Sequence, residues 1–224
     1  LRATMRLATK GGGEITQMAR KATQTRKPDL VALCDISGSM SVYSRMVLRF
    51  VHAIAHAREP VWGRVHAFTF GTSLTNVTRA LRVSDPDAAL AGIGREAKDW
   101  DGGTRIGPAL ERFNKDWARR VVSTGTQVLL ITDGLERGDL ELLDQEAARL
   151  ARTARRFIWL NPLLRFGGFE PKAGGVRTLL THVDSFHACH SLDSLKALTD
   201  ALGSEDMRKQ GVKQLYLRHR ALAL

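Results

Sequence analysis

Short apolar runs alternate along the chain with longer stretches whose apolar residues recur every three or four positions. Leu30-Val31-Ala32-Leu33-Cys34 is apolar without a break and lies between Pro28-Asp29 and a Ser/Gly turn. That pattern predicts a strand buried on both faces over 30–35. Within 44–58, Met46, Val47, Phe50, Val51, Ile54 and Ala55 fall at helical steps, and Pro60 and Gly63 close the segment. Residues 64–70 alternate, with Val65, Ala67 and Thr69 on one face and His66, Phe68 and Phe70 on the other. After the turn Gly71-Thr72-Ser73, residues 74–77 are expected to return as a short strand.

Ser84-Asp85-Pro86 opens a predicted helix to about Lys98, with the proline in its first turn. Asp101 to Thr104 is a loop. Pro108 to Arg120 is a predicted helix with Leu110, Phe113 and Trp117 inward. Residues 127–132 are a second predicted buried strand ending at Asp133-Gly134, and a predicted helix over 139–154 leads to a strand at 156–160. Asn161-Pro162 stops that strand. About twenty residues carrying Gly167, Gly168, Gly174 and Gly175 are expected as loop, then a strand at 183–186 and a helix at 192–202. Strands alternating with helices predict a three-layer α/β fold: a Rossmann-like, doubly wound, mostly parallel sheet with one short antiparallel edge strand.

Charge adds a second pattern. The chain of 224 residues carries a net charge of +11. Residues 1–27 hold seven Lys/Arg and one Glu, and residues 204–224 hold five Lys/Arg and two acids. The basicity therefore lies in the ends. The expected division is a basic flank at 1–27, a domain at 28–203 and a basic tail at 204–224. Basic ends can bind nucleic acid, but neither interleaved aromatics nor a nucleic-acid motif accompanies them, so a solvated flank is preferred. No apolar stretch is long enough to cross a membrane. Residues 1–13, LRATMRLATKGGG, carry charge where a signal peptide needs an apolar run. Position 1 is Leu, which fits a piece of a longer protein. The two cysteines, Cys34 and Cys189, form no disulfide framework, and a reducing cytoplasm is the expected setting.

Open α/β sheets place their sites at the carboxyl ends of strands, and three polar clusters fall at or near that edge. They are Asp35-Ile36-Ser37-Gly38-Ser39, Gly102-Gly103-Thr104 and Thr132-Asp133-Gly134. Carboxylates and hydroxyls are hard oxygen donors that suit Mg²⁺ or Mn²⁺ and do not suit Zn²⁺. The first cluster taken alone reads equally as a helix N-cap.

Asp-x-Ser-x-Ser after a first strand, a Thr after a Gly pair, and Thr-Asp-Gly after a later strand resemble the metal-ion-dependent adhesion site of the von Willebrand factor A (VWA) domain. Asp35, Ser37, Ser39, Thr104 and Asp133 occupy its five positions. The resemblance implies that Ser37 and Ser39 bind Mg²⁺ (or Mn²⁺) directly, and Thr104 directly or through water. Asp35 and Asp133 would act mainly through water and hydrogen bonds. One coordination position would stay open for a partner's carboxylate.

The flanks are similar to the bacterial CoxE-like branch. The matching stretches are 41–45, 68–72, 100–107 and 158–163, and the similarity runs from about residue 2 to 203. This implies work with a MoxR-type AAA+ ATPase in maturing or activating a client metalloenzyme such as carbon monoxide dehydrogenase. It also implies a cytoplasmic, non-enzymatic binding module, held at the inner membrane only through a partner.

Arg105 reads either as a rim cation that steers an acidic partner or as an ordinary helix-start residue. Trp100 reads either as a rim anchor or as core. His52 and His56 stand four apart, but Ala53 replaces the Glu of a zinc protease. His182, His187 and His190 surround Cys189 without a standard zinc spacing. Ser37 lacks the glycines of a nucleophile elbow, and Gly102-Gly103-Thr104-Arg105 does not have P-loop spacing. The alternatives to a capture module are a Mg²⁺-dependent hydrolase or phosphoryl-transfer enzyme using Asp35 and Asp133, and a basic RNA-binding α/β domain.

Overall fold

A computed structural model describes residues 27–97, 103–165 and 171–190. In chain order its elements begin with β1 (Leu30–Asp35), α1 (Ser41–Ala55), β2 (Val65–Phe70) and β3 (Leu74–Asn76). Next come α2 (Thr78–Leu81), α3 (Pro86–Glu96), α4 (Ile106–Asp116), α5 (Ala118–Val121) and β4 (Gln127–Ile131). The last are α6 (Leu140–Thr153), β5 (Arg156–Asn161), α7 (Gly174–His182) and β6 (Ser185–Ala188). Short 3₁₀ turns at Gly38–Met40 and Pro162–Arg165 follow β1 and β5.

The strands form one sheet in the order β3-β2-β1-β4-β5-β6. Every neighbouring pair is parallel except β2 with β3. The fold is thus the expected doubly wound, mostly parallel sheet with one antiparallel edge strand. β1 is buried along its whole length, as a central strand covered on both faces must be.

Alternation sends side chains to two cores. Leu30, Ala32, Cys34, Ala67 and Ile131 pack with Val47, Leu48, Val51 and Ile54 of α1 and Ile93 of α3. Val31, Leu33, Phe68, Phe70 and Leu130 pack with Phe113 of α4, Leu143 and Leu150 of α6 and Leu179 of α7. The two faces expected for residues 65–70 are those observed.

Several boundaries differ from the expectation. α1 begins at Ser41 and ends at Ala55, three residues earlier at each end than the periodicity over 44–58 indicates. The 3₁₀ turn at Gly38–Met40 starts the helical path directly behind the site loop. The expected helix over 108–120 is two, α4 and α5, broken at Trp117, whose backbone departs from helical geometry. Trp117 is only half-buried and meets Phe68 edge-on, with ring centroids 5.4 Å apart. The short helix α2 was not expected.

The largest correction lies at 161–186. The expected long loop contains a 3₁₀ turn and the helix α7, and the last strand is β6, two residues later than 183–186. Gly174 and Gly175 have low helix propensity, which hides α7 from a sequence reading. Tertiary packing requires glycine at position 175: a Cβ there would stand 2.5 Å from the Gly134 carbonyl oxygen. The expected helix at 192–202, the flank before Lys27, the tail at 204–224 and Trp100 lie outside the described residues. Among the described residues no helix is long and apolar enough to cross a membrane.

Candidate metal centre

The carboxyl ends of β1, β4 and β5 meet at one edge of the sheet, and the N-termini of α1, α4, α6 and α7 face the same edge. β1 delivers Asp35 there with 1 % of its surface exposed. Asp35 Oδ1 accepts the Ser37 backbone N–H at 2.9 Å, which folds the chain back on itself. Asp35 Oδ2 accepts the Thr132 hydroxyl at 2.6 Å, across to the end of β4. The Ser37 and Ser39 hydroxyl oxygens lie 3.3 Å apart. Ser37 is buried and Ser39 is exposed, so the pair runs from the floor of the site to its mouth.

Asp133 follows one residue after Thr132 and is buried. Its Oδ1 accepts the Leu135 N–H at 3.0 Å. Its loop is held from behind. Asn161 Nδ2 donates to the Asp133 carbonyl at 3.0 Å, and Trp159 Nε1 donates to the Thr132 carbonyl at 2.9 Å. Thr132 Oγ1 also accepts the Gly134 N–H at 3.1 Å. Gly134 has φ of 80°, and a Cβ there would reach within 2.7 Å of the Trp159 ring. Only glycine fits both that backbone and that contact.

Thr104 is buried on the loop that enters α4. Two bonds fix this loop to its neighbours. The Arg105 N–H donates to the Gly71 carbonyl at 3.1 Å, and the Gly107 N–H donates to Glu136 Oε2 at 2.8 Å. Glu136 therefore ties the N-terminus of α4 to the loop that carries Asp133. Arg105 itself is exposed.

Sequence reasoning missed Thr132 as a partner of Asp35, and it missed Asn161, Trp159 and Glu136 altogether. Asn161 ending a buried strand was the one available signal, since a buried amide needs a partner. Nothing in the sequence marks Glu136.

Burial pushes the Asp35 carboxyl up to about 6; hydrogen bonds from Ser37 and Thr132 pull it part way back, and the Asp133 charge adds to the rise. Asp35 and Asp133 are both buried, and a cation beside Asp35 would favour its ionised form. Among the described residues no three His, Cys, Asp or Glu side chains gather as a metal cluster. The donors collected here are two acids and a set of hydroxyls, a composition that fits a hard cation such as Mg²⁺ or Mn²⁺.

The other candidates take structural places. His52 and His56 stack at 4.1 Å, and His52 Nε2 donates to the Val83 carbonyl at 2.8 Å. His182 pairs with Asp144 at 2.7 Å. His187 and His190 each bury a ring nitrogen that has no hydrogen-bond partner among the described residues. Cys34 and Cys189 are free and buried, and burial pushes the Cys34 thiol up to about 12, so it is not a nucleophile at neutral pH.

A doubly wound sheet with this edge strand, and with Asp-x-Ser-x-Ser behind β1 and Thr-Asp-Gly behind β4, is a von Willebrand factor A fold, a fold of metal-dependent protein interaction. The chain belongs to the family described as VWA domain containing CoxE-like protein, whose model matches residues 1–195.

Solved structures share the fold at low identity. A von Willebrand factor type A protein from Catenulispora acidiphila is 16% identical with a TM-score of 0.56, covering 81% of this chain and 43% of its own. Proximal thread matrix protein 1 from the mussel byssus, with a zinc-occupied MIDAS motif, is 15% identical with a TM-score of 0.51, covering 78% and 46%. Manganese-loaded TRAP protein from Plasmodium vivax is 18% identical with a TM-score of 0.52, covering 77% and 72%. The chain spans less than half the length of the first two. No curated protein matches it.

Proposed function

We propose that this chain is a non-catalytic capture module that holds Mg²⁺, or Mn²⁺, at the edge of its sheet and binds an acidic side chain of a partner protein. Ser37 and Ser39 would supply hydroxyl ligands, Thr104 a further hydroxyl directly or through water, and Asp35 and Asp133 charge and water-mediated support. A divalent cation with one open position exchanges water for a carboxylate, and the attraction is strong where protein excludes solvent. One observation carries the reading. Asp35 is buried beside Asp133, with its two oxygens already directed by Ser37 and Thr132. Such an acid orients neighbouring hydroxyls and supplies charge, and is poorly placed to act as a base on a substrate.

The biological setting rests on the family. CoxE-like membership supports a role beside a MoxR-type AAA+ ATPase, in which force or remodelling by the ATPase reaches a client metalloenzyme through this module. Carbon monoxide dehydrogenase is the client class the family name suggests. The cytoplasm is the matching location.

The first test is a titration of Mn²⁺ into wild type and Asp35→Ala, followed by electron paramagnetic resonance. One saturable site in wild type, lost in the variant, is expected. A pull-down with the ATPase in Mg²⁺ and in EDTA is the second test, with Thr104→Ala as a further variant. Equal capture by wild type and both variants would remove the metal bridge from the account.

A further inference from the structure

The surface around the candidate metal site has a chemistry of its own. The described residues leave five large hydrophobic side chains exposed: Val42, Val61, Val83, Leu135 and Leu140. Scattered singly, such residues need no explanation. Here three of the five belong to segments that meet at the metal edge. Val42 lies in the first turn of α1, three residues after Ser39, and is 80% exposed. Leu135 follows Asp133 by two residues and is 43% exposed. Leu140 opens α6 on the same loop. No packing role accounts for Val42: the core face of α1 is built by Tyr43, Val47, Phe50, Val51 and Ile54.

Cations stand free among these apolar residues. Arg45, Arg105 and Arg137 are exposed on the three site segments, and no ion pair engages them among the described residues. Arg45 stands one helical turn from Val42, so the two share a face. The acids of the rim are partly committed. Glu136 accepts the Gly107 and Gly138 N–H groups, and Asp139 accepts the Glu141 N–H at the start of α6. Glu141 is the remaining exposed acid at this end of α6. The N-termini of α1, α4, α6 and α7 add partial positive charge at the same edge.

We propose that the captured segment is an acidic–aliphatic loop of another protein: its metal-binding carboxylate is flanked by aliphatic side chains that settle on Val42 and Leu135, and a second acid nearby meets Arg105 and Arg137. This inference rests on the capture reading and narrows it. A bare carboxylate would satisfy the cation but would leave the exposed valine and leucine in water. A segment with apolar neighbours covers them, and covering them excludes the water that competes for the open position. The arginines then select against segments that are apolar alone.

The probe is a phage-displayed library of short peptides with one fixed central Asp and random flanks, selected on the full chain in Mn²⁺ and eluted with EDTA. Wild type is expected to yield peptides with Leu, Ile, Val or Phe beside the fixed Asp and a further Asp or Glu close by. V42K/L135K is expected to lose the aliphatic preference, with affinity for a wild-type-selected peptide falling about tenfold for each apolar contact removed. R105E/R137E is expected to lose the preference for the second acid. Mn²⁺ stoichiometry on each preparation reports an intact fold and cation. EDTA-eluted peptides without aliphatic enrichment would overturn this inference and leave metal-dependent capture standing. No EDTA-eluted enrichment from wild type over Asp35→Ala would overturn both.

Discussion

Asp35 concentrates the chemistry of the site in one side chain. Its carboxyl is raised by burial to about 6, above its value in the unfolded chain. For a raised acid the folded protein favours the proton, so in the metal-free state the cost of ionising Asp35 grows from about pH 4 and is complete above about pH 6. The metal-free protein should therefore lose stability through this group as pH rises across that window. A cation reverses the sign by favouring the ionised form, so Mn²⁺ affinity should fall about tenfold per pH unit below about 6. Isothermal titration with Mn²⁺ between pH 5 and 7.5 measures this. A flat profile would mean that Asp35 does not face the cation. Thr132 is the second residue to test. Thr132→Val removes a 2.6 Å bond to Asp35 and the acceptor for the Gly134 N–H. Leaving buried polar groups unpaired costs about 1–3 kcal/mol, to be read from urea unfolding without metal, and Mn²⁺ affinity should weaken as Asp35 loses its orientation.

At the scale of elements, the loop after β4 is the piece on which the site depends. It carries Asp133, is tied to α4 by Glu136, and is packed from behind by the start of α7. Two glycines mark that packing, and they separate two kinds of effect. Gly134→Ala adds a Cβ at positive φ against the Trp159 ring, and about 2–4 kcal/mol of stability should be lost. Gly175→Ala keeps an ordinary helical backbone but drives a methyl toward the Gly134 carbonyl and the Glu136 Cβ. Its main effect should fall on the loop, with Mn²⁺ affinity reduced more clearly than unfolding stability. Comparing both variants by urea unfolding and Mn²⁺ titration checks the assignment. If Gly175→Ala binds Mn²⁺ as wild type does, α7 does not set the position of Asp133.

For the whole molecule, the cation is a ligand of the folded state alone, because the site draws on segments nearly a hundred residues apart. Mn²⁺ at a hundred times its dissociation constant should stabilise wild type by about 2.7 kcal/mol, seen as a rise in Tm. Asp35→Ala should show no such rise. The sheet explains why distant segments converge: parallel strands joined by helices on both faces bring the ends of β1, β4 and β5 to one edge, and loops at that edge carry binding residues on a rigid frame.

The sequence by itself determined the class of fold, because unbroken apolar runs separated by helical periodicities can be buried only as central strands between helical layers. It also determined the chemical type of the candidate site, because Asp35, Ser37, Ser39, Thr104 and Asp133 offer oxygen donors and little else. The tertiary structure alone decided how that set is held. Thr132 reaches Asp35, Asn161 and Trp159 fix the loop of Asp133, and Glu136 joins that loop to α4 through contacts between residues far apart in the chain. Helix α7 belongs to the same category. Its glycines argue against a helix locally, and Gly175 is needed because the helix packs against the Gly134 backbone more closely than any side chain allows. Local propensity records what a segment prefers alone, whereas a close approach between segments appears only once both are in place.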